Sequence, residues 1–377
     1  MKKIMILGAG LVGRPMALDL ADDKDISVTV LDQDPVRLQT FDKKDISTIR
    51  TDLNDTGNLK KILDPCDAVI SAVPGNMGFK TLQAIIGTGK PVVDISFFPE
   101  DMFLLDDLAK TKNITAICDM GVAPGMSNLL VGNGYKHFDR TDSIEIYVGG
   151  LPKVRHYPWE YKAVFSPSDV IEEYTRPARF VRNGKLVVKP ALSDPALIYF
   201  EKPGTLEAFN SDGLRSLIKT LKVPDMIEKT LRYPGHIEKI KVLKKSGFFD
   251  TEPVRIGLND IKPLDFTSQL LFRQWKLARG EQDLTVMKII ISGIRKGTPE
   301  TWEYNLYDEY DPVSGIHSMA RTTGYAATMA LRMLLAGKYS NPGINVPEMI
   351  PQSDGCVDFI LNGLKKRGIS YILDIRS

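Results

Sequence analysis

Short apolar runs alternate with amphipathic stretches through the first third of the chain. Ile4 to Leu7 is apolar throughout, and a helical stretch ending near Asp22 follows it across a glycine-rich turn. Further apolar runs occur at Ser27–Asp32, Ile46–Arg50, Ala68–Val73, Val92–Ser96 and Ile114–Cys118, with helical periodicity near 56–64, 77–88 and 101–111. Apolar strands alternating with helices predict an α/β domain built on a doubly wound parallel sheet. The carboxyl ends of these strands carry small or polar clusters: Gly8-Ala-Gly10, Asp32, Asp52, Pro74-Gly-Asn76, Asp94 with Ser96, and Asp119-Met-Gly121. Ligands of such sheets bind outside the carboxyl ends of the strands.

The pattern changes near residue 121. Gly121 to Asn128 reads as a turn-rich crossover into a helix, with Ser127 or Asn128 as its cap. Alternating runs at Ser143–Val148, Met287–Ser292, Glu303–Tyr307 and Ile316–Ala320 then predict an α+β domain with a mostly antiparallel sheet. In this reading the last two runs are neighbouring strands joined by the turn at Asp311-Pro312. Thr322 to Ala336 is a helix rich in small residues, and a last helix lies near 354–366. The expected domains are 1–122, 123–320 and a C-terminal segment, 321–377, returning to the first.

Composition narrows the functional classes. At 377 residues the chain suits two domains, and 43% hydrophobic with 25% charged residues is ordinary globular usage. A net charge of +2 offers no electrostatic footprint for nucleic acid or an anionic membrane. Cys66, Cys118 and Cys356 are far apart and odd in number, which suits a reducing cytoplasm and lacks metal-ligand spacing, so no metal is expected. No run reaches the roughly 18 apolar residues of a membrane span, and the short N-terminal strand does not read as a signal peptide.

The chemistry begins at Gly8-Ala-Gly10-Leu11-Val12-Gly13. Between a strand and a helix this is a dinucleotide fingerprint: Gly8 for the tight turn, Gly10 for approach of the pyrophosphate, Gly13 for helix–strand packing. The helix N-terminus then faces the phosphates. Asp32, with Gln33 after it, ends the second strand where the ribose should lie, and its carboxylate favours NAD over NADP by repelling a 2′-phosphate. Arg37 could moderate that repulsion. Cofactor contacts are accordingly expected at Gly8, Gly10, Leu11, Val12, Gly13, Asp32, Gln33, Asp52, Pro74, Asp94, Ser96 and Asp119. Asp119 is also a candidate acid–base group, provided burial raises its pKa. Thr230 to Lys239 is the most pointed segment of the second domain. A helix over Ile237–Lys245 begins just after His236, its dipole pushing the imidazole toward its neutral, basic form, and Arg232 could grip a carboxylate bidentately. Arg215 and Arg321 are further clamps, and Tyr161 with Lys162 adds an aromatic wall and an amine.

Taken together the motifs resemble the saccharopine dehydrogenase family, and within it the L-lysine 6-dehydrogenase group. The shared marks are Gly8-x-Gly10-x-x-Gly13, Asp119-x-Gly121-x-Ala-Pro-Gly-Met-Ser-Asn128, Tyr147-Val-Gly-Gly-Leu-Pro152 and Phe165-Ser-Pro167. They continue with Glu172–Ala178, Arg182–Lys185, Glu207–Phe209, Ser211–Ser216, Thr230–His236 and Arg321–Gly324. The resemblance implies a Rossmann domain, a substrate and dimerisation domain that makes a homodimer, and NAD(P)-linked oxidation at a carbon bearing nitrogen. Lysine, saccharopine and carboxylated polyamines are the substrates it leaves open. Saccharopine, with three carboxylates, should need several of Arg155, Arg176, Arg179, Arg215, Arg232 and Arg321 to converge. For lysine the expected mechanism has Arg232 and Arg215, then Arg321, holding the carboxylate, with His236 first and Asp119 second as the base. A non-catalytic NAD-binding sensor is the reading from another class.

Overall fold

Lys2–Leu7 forms strand β1, whose last four residues are buried, as a strand covered on both faces requires. The computed structural model describes residues 1–41, 45–163, 167–278 and 280–377, so the motif residues Phe165 and Ser166 lie outside the described residues. The chain divides into two compact units, Met1–His137 with Ala320–Ser370, and Phe138–Met319 with Tyr371–Ser377.

In the first unit β1 is followed by α1 (Gly13–Ala21), β2 (Ile26–Asp32), α2 (Pro35–Gln39), β3 (Ser47–Arg50) and α3 (Thr56–Leu63). Next come β4 (Ala68–Ser71), α4 (Gly75–Gly87), β5 (Val92–Asp94), α5 (Asp106–Thr111), β6 (Thr115–Ile117) and α6 (Met126–His137). The second unit then runs through β7 (Arg140–Pro152), α7 (Pro167–Thr175), β8 (Ala178–Arg182), β9 (Lys185–Lys189), β10 (Ala196–Phe200) and β11 (Gly204–Asn210). It continues with α8 (Leu217–Thr220), β12 (Asp225–Arg232), α9 (His236–Lys245), β13 (Val254–Ile256), β14 (Asn259–Ile261), α10 (Pro263–Trp275), β15 (Asp283–Arg295) and β16 (Thr298–Glu309). Last are α11 (Ser318–Leu335), β17 (Gly343–Asn345), α12 (Cys356–Lys366) and β18 (Tyr371–Arg376).

Among the described residues, the first unit has a seven-stranded sheet in the order β17-β6-β5-β4-β1-β2-β3. Every pairing in it is parallel, the doubly wound sheet read from the alternation. The second unit carries a nine-stranded sheet whose main path is β10-β11-β12-β7-β15-β16-β18. It is mixed, since β12 and β7 run parallel while the other pairs are antiparallel. One core, built from Val170, Tyr174, Phe209, Ile237, Ile240 and Trp275 among others, includes residues of α7, α9 and α10. Another, with Tyr147, Leu206, Leu231, Tyr233 and Val286, is drawn mostly from the strands. No described helix is long and apolar enough to cross a membrane.

Three expectations need correction. The boundary falls at His137 rather than 122, because α6 belongs to the first unit, and the last strand belongs to the second unit rather than the first. Ile316–Ala320 is not a strand: Asp311 and Ile316 close a bridged turn, and α11 begins at Ser318. The Asp283 carboxylate accepts the Ser318 and Met319 N–H groups at 2.8 and 3.0 Å, satisfying donors that a helix start leaves open. Nor do Ser127 and Asn128 cap α6; they lie inside its first turn, and the Met126 and Leu129 N–H groups bond the Gly121 and Gly125 carbonyls at 2.9 Å.

Candidate functional site

The glycine turn of the first unit has the shape its spacing predicts. Gly8 has φ +102°, and a Cβ there would lie 2.6 Å from the Ala72 carbonyl oxygen. One on Gly13 would lie 1.9 Å from the Gly8 oxygen, whereas beside Gly10 the nearest atom is Arg37 Nη1 at 3.9 Å. The turn is therefore closed at its ends and open in the middle, where a pyrophosphate needs backbone approach. No side chain caps α1 at Val12, which leaves the helix start to a ligand anion, and Leu11 is exposed beside it.

Asp32 is buried, and its carboxylate is committed to backbone. Oδ2 accepts the Ala9 N–H at 2.7 Å and Oδ1 the Asp34 N–H at 2.9 Å. The Arg37 guanidinium stands 3.7 Å from Oδ2 and is itself half-exposed. The Gln33 carbonyl takes a bond from Arg50 Nε, and Asp52 accepts from the Asn54 N–H, so these two shape the adjoining turns. Pro74 precedes α4 as its N-cap.

Asp94 and Ser96 differ from the expected cofactor contacts: both are buried, and they bond each other. Ser96 donates through Oγ to Asp94 Oδ1 at 2.9 Å and through N to Oδ2 at 3.0 Å. Burial pushes the Asp94 carboxyl up to about 7, the serine hydrogen bonds pull it down, and the charge of Asp119 pushes it up. Asp119 follows β6 with φ 55° and is also buried, and the N–H of Met120 bonds the Asp94 carbonyl at 3.0 Å. Arg321 lies within the first turn of α11 rather than ahead of it, and its Nη2 donates to the Arg367 carbonyl. Two residues on, the Thr323 methyl lies 3.3 Å from where a Cβ on Gly121 would stand, and Gly324 packs on Val12 and Met16. In the first unit the start of α11 thus touches both the glycine turn and the Asp119 turn.

In the second unit the pair expected to hold and deprotonate substrate forms a closed cluster. Arg232 is 2% exposed and donates from Nε to Tyr174 Oη at 3.1 Å, from Nη1 to its neighbour's carbonyl, and from Nη2 to Glu173 and Tyr161. Its guanidinium carbon sits 4.4 Å from the Tyr161 ring centroid. His236 is 1% exposed, with Nδ1 2.9 Å from the Trp159 carbonyl oxygen and Nε2 2.9 Å from Tyr174 Oη. A carbonyl only accepts, so Nδ1 carries the proton and Nε2 takes the tyrosine hydroxyl. Burial first, and then the charge of Arg232, lower the histidine to about 3. It is neutral, as expected, but neither nitrogen is open to a substrate. Both roles read from Arg232-Tyr-Pro-Gly-His236 are therefore corrected: Arg232 neutralises Glu173, and His236 props the segment at Trp159. Tyr161 is the buried wall of this cluster, and Lys162 lies beside it with Nζ 3.3 Å from Glu281 and 3.2 Å from the Lys276 carbonyl.

The remaining arginines sort by partner. Arg155 pairs with Glu160, Arg176 with Glu172, and Arg179 with Asp212 through two bonds of 2.8 Å. Arg215 is buried with φ 52°, at the end of a loop whose preceding residues are each tied down. A cavity of about 580 Å³ in the same unit, lined by Lys153, Arg155, Thr205, Tyr233, Tyr307 and Glu309 among others, includes Arg155 but none of the other expected site residues. Sequence reasoning missed Glu173, Tyr174 and Glu228. Glu173 and Tyr174 stood within a quoted motif, but nothing in the spacing tied them to an arginine 59 and 58 positions away.

Residues 4–117 match the family model described as the saccharopine dehydrogenase NADP binding domain, and residues 121–369 that of the saccharopine dehydrogenase C-terminal domain. The chain belongs to the saccharopine dehydrogenase family. It is 26% identical to saccharopine dehydrogenase [NADP(+), L-glutamate-forming] of Saccharomyces cerevisiae, over 98% of both chains. To the mitochondrial alpha-aminoadipic semialdehyde synthase of Rattus norvegicus it is 24% identical over 98% of its own length, and it spans only 47% of that relative. Carboxyaminopropylagmatine dehydrogenase of Synechocystis is 24% identical, over 93% of this chain and 94% of the relative. The fold matches that of apo saccharopine dehydrogenase (L-Glu forming) from S. cerevisiae with a TM-score of 0.83 at 22% identity, covering both chains completely. As a member of this family the chain is an oxidoreductase of the dehydrogenase type with a pyridine-nucleotide domain.

Proposed function

We propose that this dehydrogenase oxidises L-lysine at its ε-carbon, producing 2-aminoadipate 6-semialdehyde and ammonia. The observation that carries the choice of substrate is the pairing of the arginines. Arg155, Arg176, Arg179 and Arg232 each face a carboxylate of this chain, which argues against a substrate needing three carboxylate clamps. Lysine needs one. Arg215 is the leading anchor, with Arg321 behind it.

In this reading lysine, NAD⁺ and water give semialdehyde, ammonium, NADH and one proton. An ammonium cannot release hydride from its neighbouring carbon, so a base must first take its proton. Asp119 is that base: it is buried at a strand's carboxyl end, and both nitrogens of His236 are engaged. The same carboxylate orients the water that replaces nitrogen on the substrate carbon. The nicotinamide ring, when bound, supplies the hydride acceptor. Gly8, Gly10 and Gly13 fit its pyrophosphate, since a side chain at either end of the turn would close the cradle.

We further propose that NAD is the preferred cofactor, because a carboxylate at the end of β2, here Asp32 held by the Ala9 and Asp34 N–H groups, would repel a 2′-phosphate. The relatives named for NADP(+) make this the point to measure. Arg37, 3.7 Å from Asp32, is the group that would tolerate a 2′-phosphate, so Arg37→Ala should weaken NADP⁺ binding about tenfold and NAD⁺ binding little. Equal losses for both would reject that role.

The second reading is a secondary-amine substrate of the saccharopine or carboxylated-polyamine type, favoured by relatives matched over nearly their whole length. Reduced-nucleotide formation measured with lysine, saccharopine and a carboxylated polyamine, each with NAD⁺ and NADP⁺, decides between them. Turnover with lysine that Asp119→Asn abolishes supports the first. Turnover confined to saccharopine or the polyamine rejects it, and no turnover with any substrate, with NAD⁺ still bound, identifies a sensor.

A further inference from the structure

Arg215 stands at φ +52°, in the left-handed region that a residue with a Cβ leaves unless its surroundings hold it there. The loop ahead of it is tied to two strands. On the β8 side, Arg179 sends three donors into one carboxylate. Its N–H and Nε reach Asp212 Oδ1 at 3.2 and 2.8 Å, and its Nη2 reaches Oδ2 at 2.8 Å. On the β12 side, Ser211 Oγ donates to Glu228 Oε2 at 2.7 Å, and the Gly213 N–H donates to the same oxygen at 3.1 Å. A Cβ on Gly213 would lie 2.4 Å from the Glu228 carboxyl, so the loop lies directly on β12. The two strands pair through Val181 and Met226, and both ties therefore come from one stretch of sheet.

The tie to Arg179 governs where the loop goes next. A guanidinium fork fixes both the distance and the plane of the carboxylate it grips, which a point charge does not. Asp212 is held in that way, the Gly213 N–H is bonded, and the Leu214 side chain is fully buried. The backbone thus reaches Arg215 with little freedom left to relax its φ. Arg179 is itself unsuited to grip a substrate, since Nε and Nη2, the edge that forms the fork, are spent on Asp212.

We propose that Arg179 is a positioning residue for substrate binding: through Asp212 it fixes the backbone at Arg215, and so sets the affinity for the substrate's carboxylate without touching the substrate. The proposal rests on the reading of Arg215 as the substrate anchor, and the experiment separates the failure of one from the failure of the other.

Lysine kinetics with NAD⁺ are measured on the full chain, on R179M, on R215M and on the double variant, with amide hydrogen exchange of residues 211–215 followed alongside. R179M should raise KM for lysine about tenfold, the weight of one charge-assisted hydrogen bond, while kcat stays within about twofold. Exchange in the loop should quicken in the same variant. In the R215M background R179M should add nothing, because residues that act through one contact are not additive. Asp212→Asn cuts the tie from its other end, should behave as R179M does, and carries the test if R179M fails to fold. A penalty for R179M that persists in full beside R215M makes Arg179 an independent contact or a general support, and overturns the proposal. A raised KM without faster loop exchange overturns it too. If R215M raises KM and R179M does not, the anchor stands and the positioning role falls. Wild-type KM in R215M, or no lysine turnover by the full chain, removes the anchor reading and this proposal together.

Discussion

At the scale of single residues, Arg232 shows how an accurate motif can mislead about role. An arginine after a strand and before a Pro-Gly turn reads as a carboxylate clamp, yet its donors are spent on Glu173, Tyr161, Tyr174 and a backbone carbonyl. A clamp and an internal counter-ion answer substitution differently. Arg232→Ala leaves the partly buried Glu173 without its cation, and removing one partner of a buried pair costs up to roughly 3–5 kcal/mol. Thermal unfolding should therefore drop sharply for Arg232→Ala, and Arg232→Met combined with Glu173→Gln should recover much of the loss. A substrate clamp would instead give near-normal unfolding with a large rise in KM. That outcome would restore the sequence reading of this arginine.

Elements were legible where periodicity is local, and less so where a distant group decides. The parallel strands of the first unit are written in unbroken apolar runs, and the glycine turn in three glycines, of which Gly8 and Gly13 leave no room for a side chain. By contrast the start of α11 was read as a strand, because Asp283, 35 residues earlier, supplies the acceptor that lets a helix begin at Ser318. The burial of His236 likewise depends on Tyr174 and Trp159, 62 and 77 positions away. A similar long-range device fixes the phosphate helix. Asp19 of α1 accepts from Arg332 of α11 at 2.6 Å, from Thr328, and from Arg367 after α12. Asp19→Ala should leave Arg367 without its carboxylate and Arg332 with Asp23 alone, costing on the order of 3 kcal/mol. Because α1 begins at the glycine turn, nucleotide affinity should fall as well, although Asp19 makes no expected contact with the cofactor. A titration calorimetry measurement showing wild-type affinity in this variant would detach the position of α1 from the Asp19 cluster.

For the whole molecule, each unit carries its own core and its own buried acid, Asp94 in the first and Glu228 in the second. A carboxyl whose folded pKa is raised binds a proton that the unfolded chain has already released. Stability therefore falls as pH rises from the ordinary carboxyl value to the raised one, then levels off. For Asp94 the fall ends at about 7 and for Glu228 at about 8. His236 acts oppositely: lowered to about 3, it weakens the second unit only as pH drops below its ordinary 6.5. Above pH 6.5 the two acids therefore stand apart from the histidine, each able to contribute a slope of up to about 1.4 kcal/mol per pH unit until its own fall ends. Proteins built of separate cores need not unfold in one step, and calorimetry in this window should resolve two transitions. Asp94→Asn should flatten the pH dependence of the one that levels near neutrality, and Glu228→Gln that of the one still falling toward 8. A single transition moved equally by both substitutions would mean that the two cores unfold as one cooperative body.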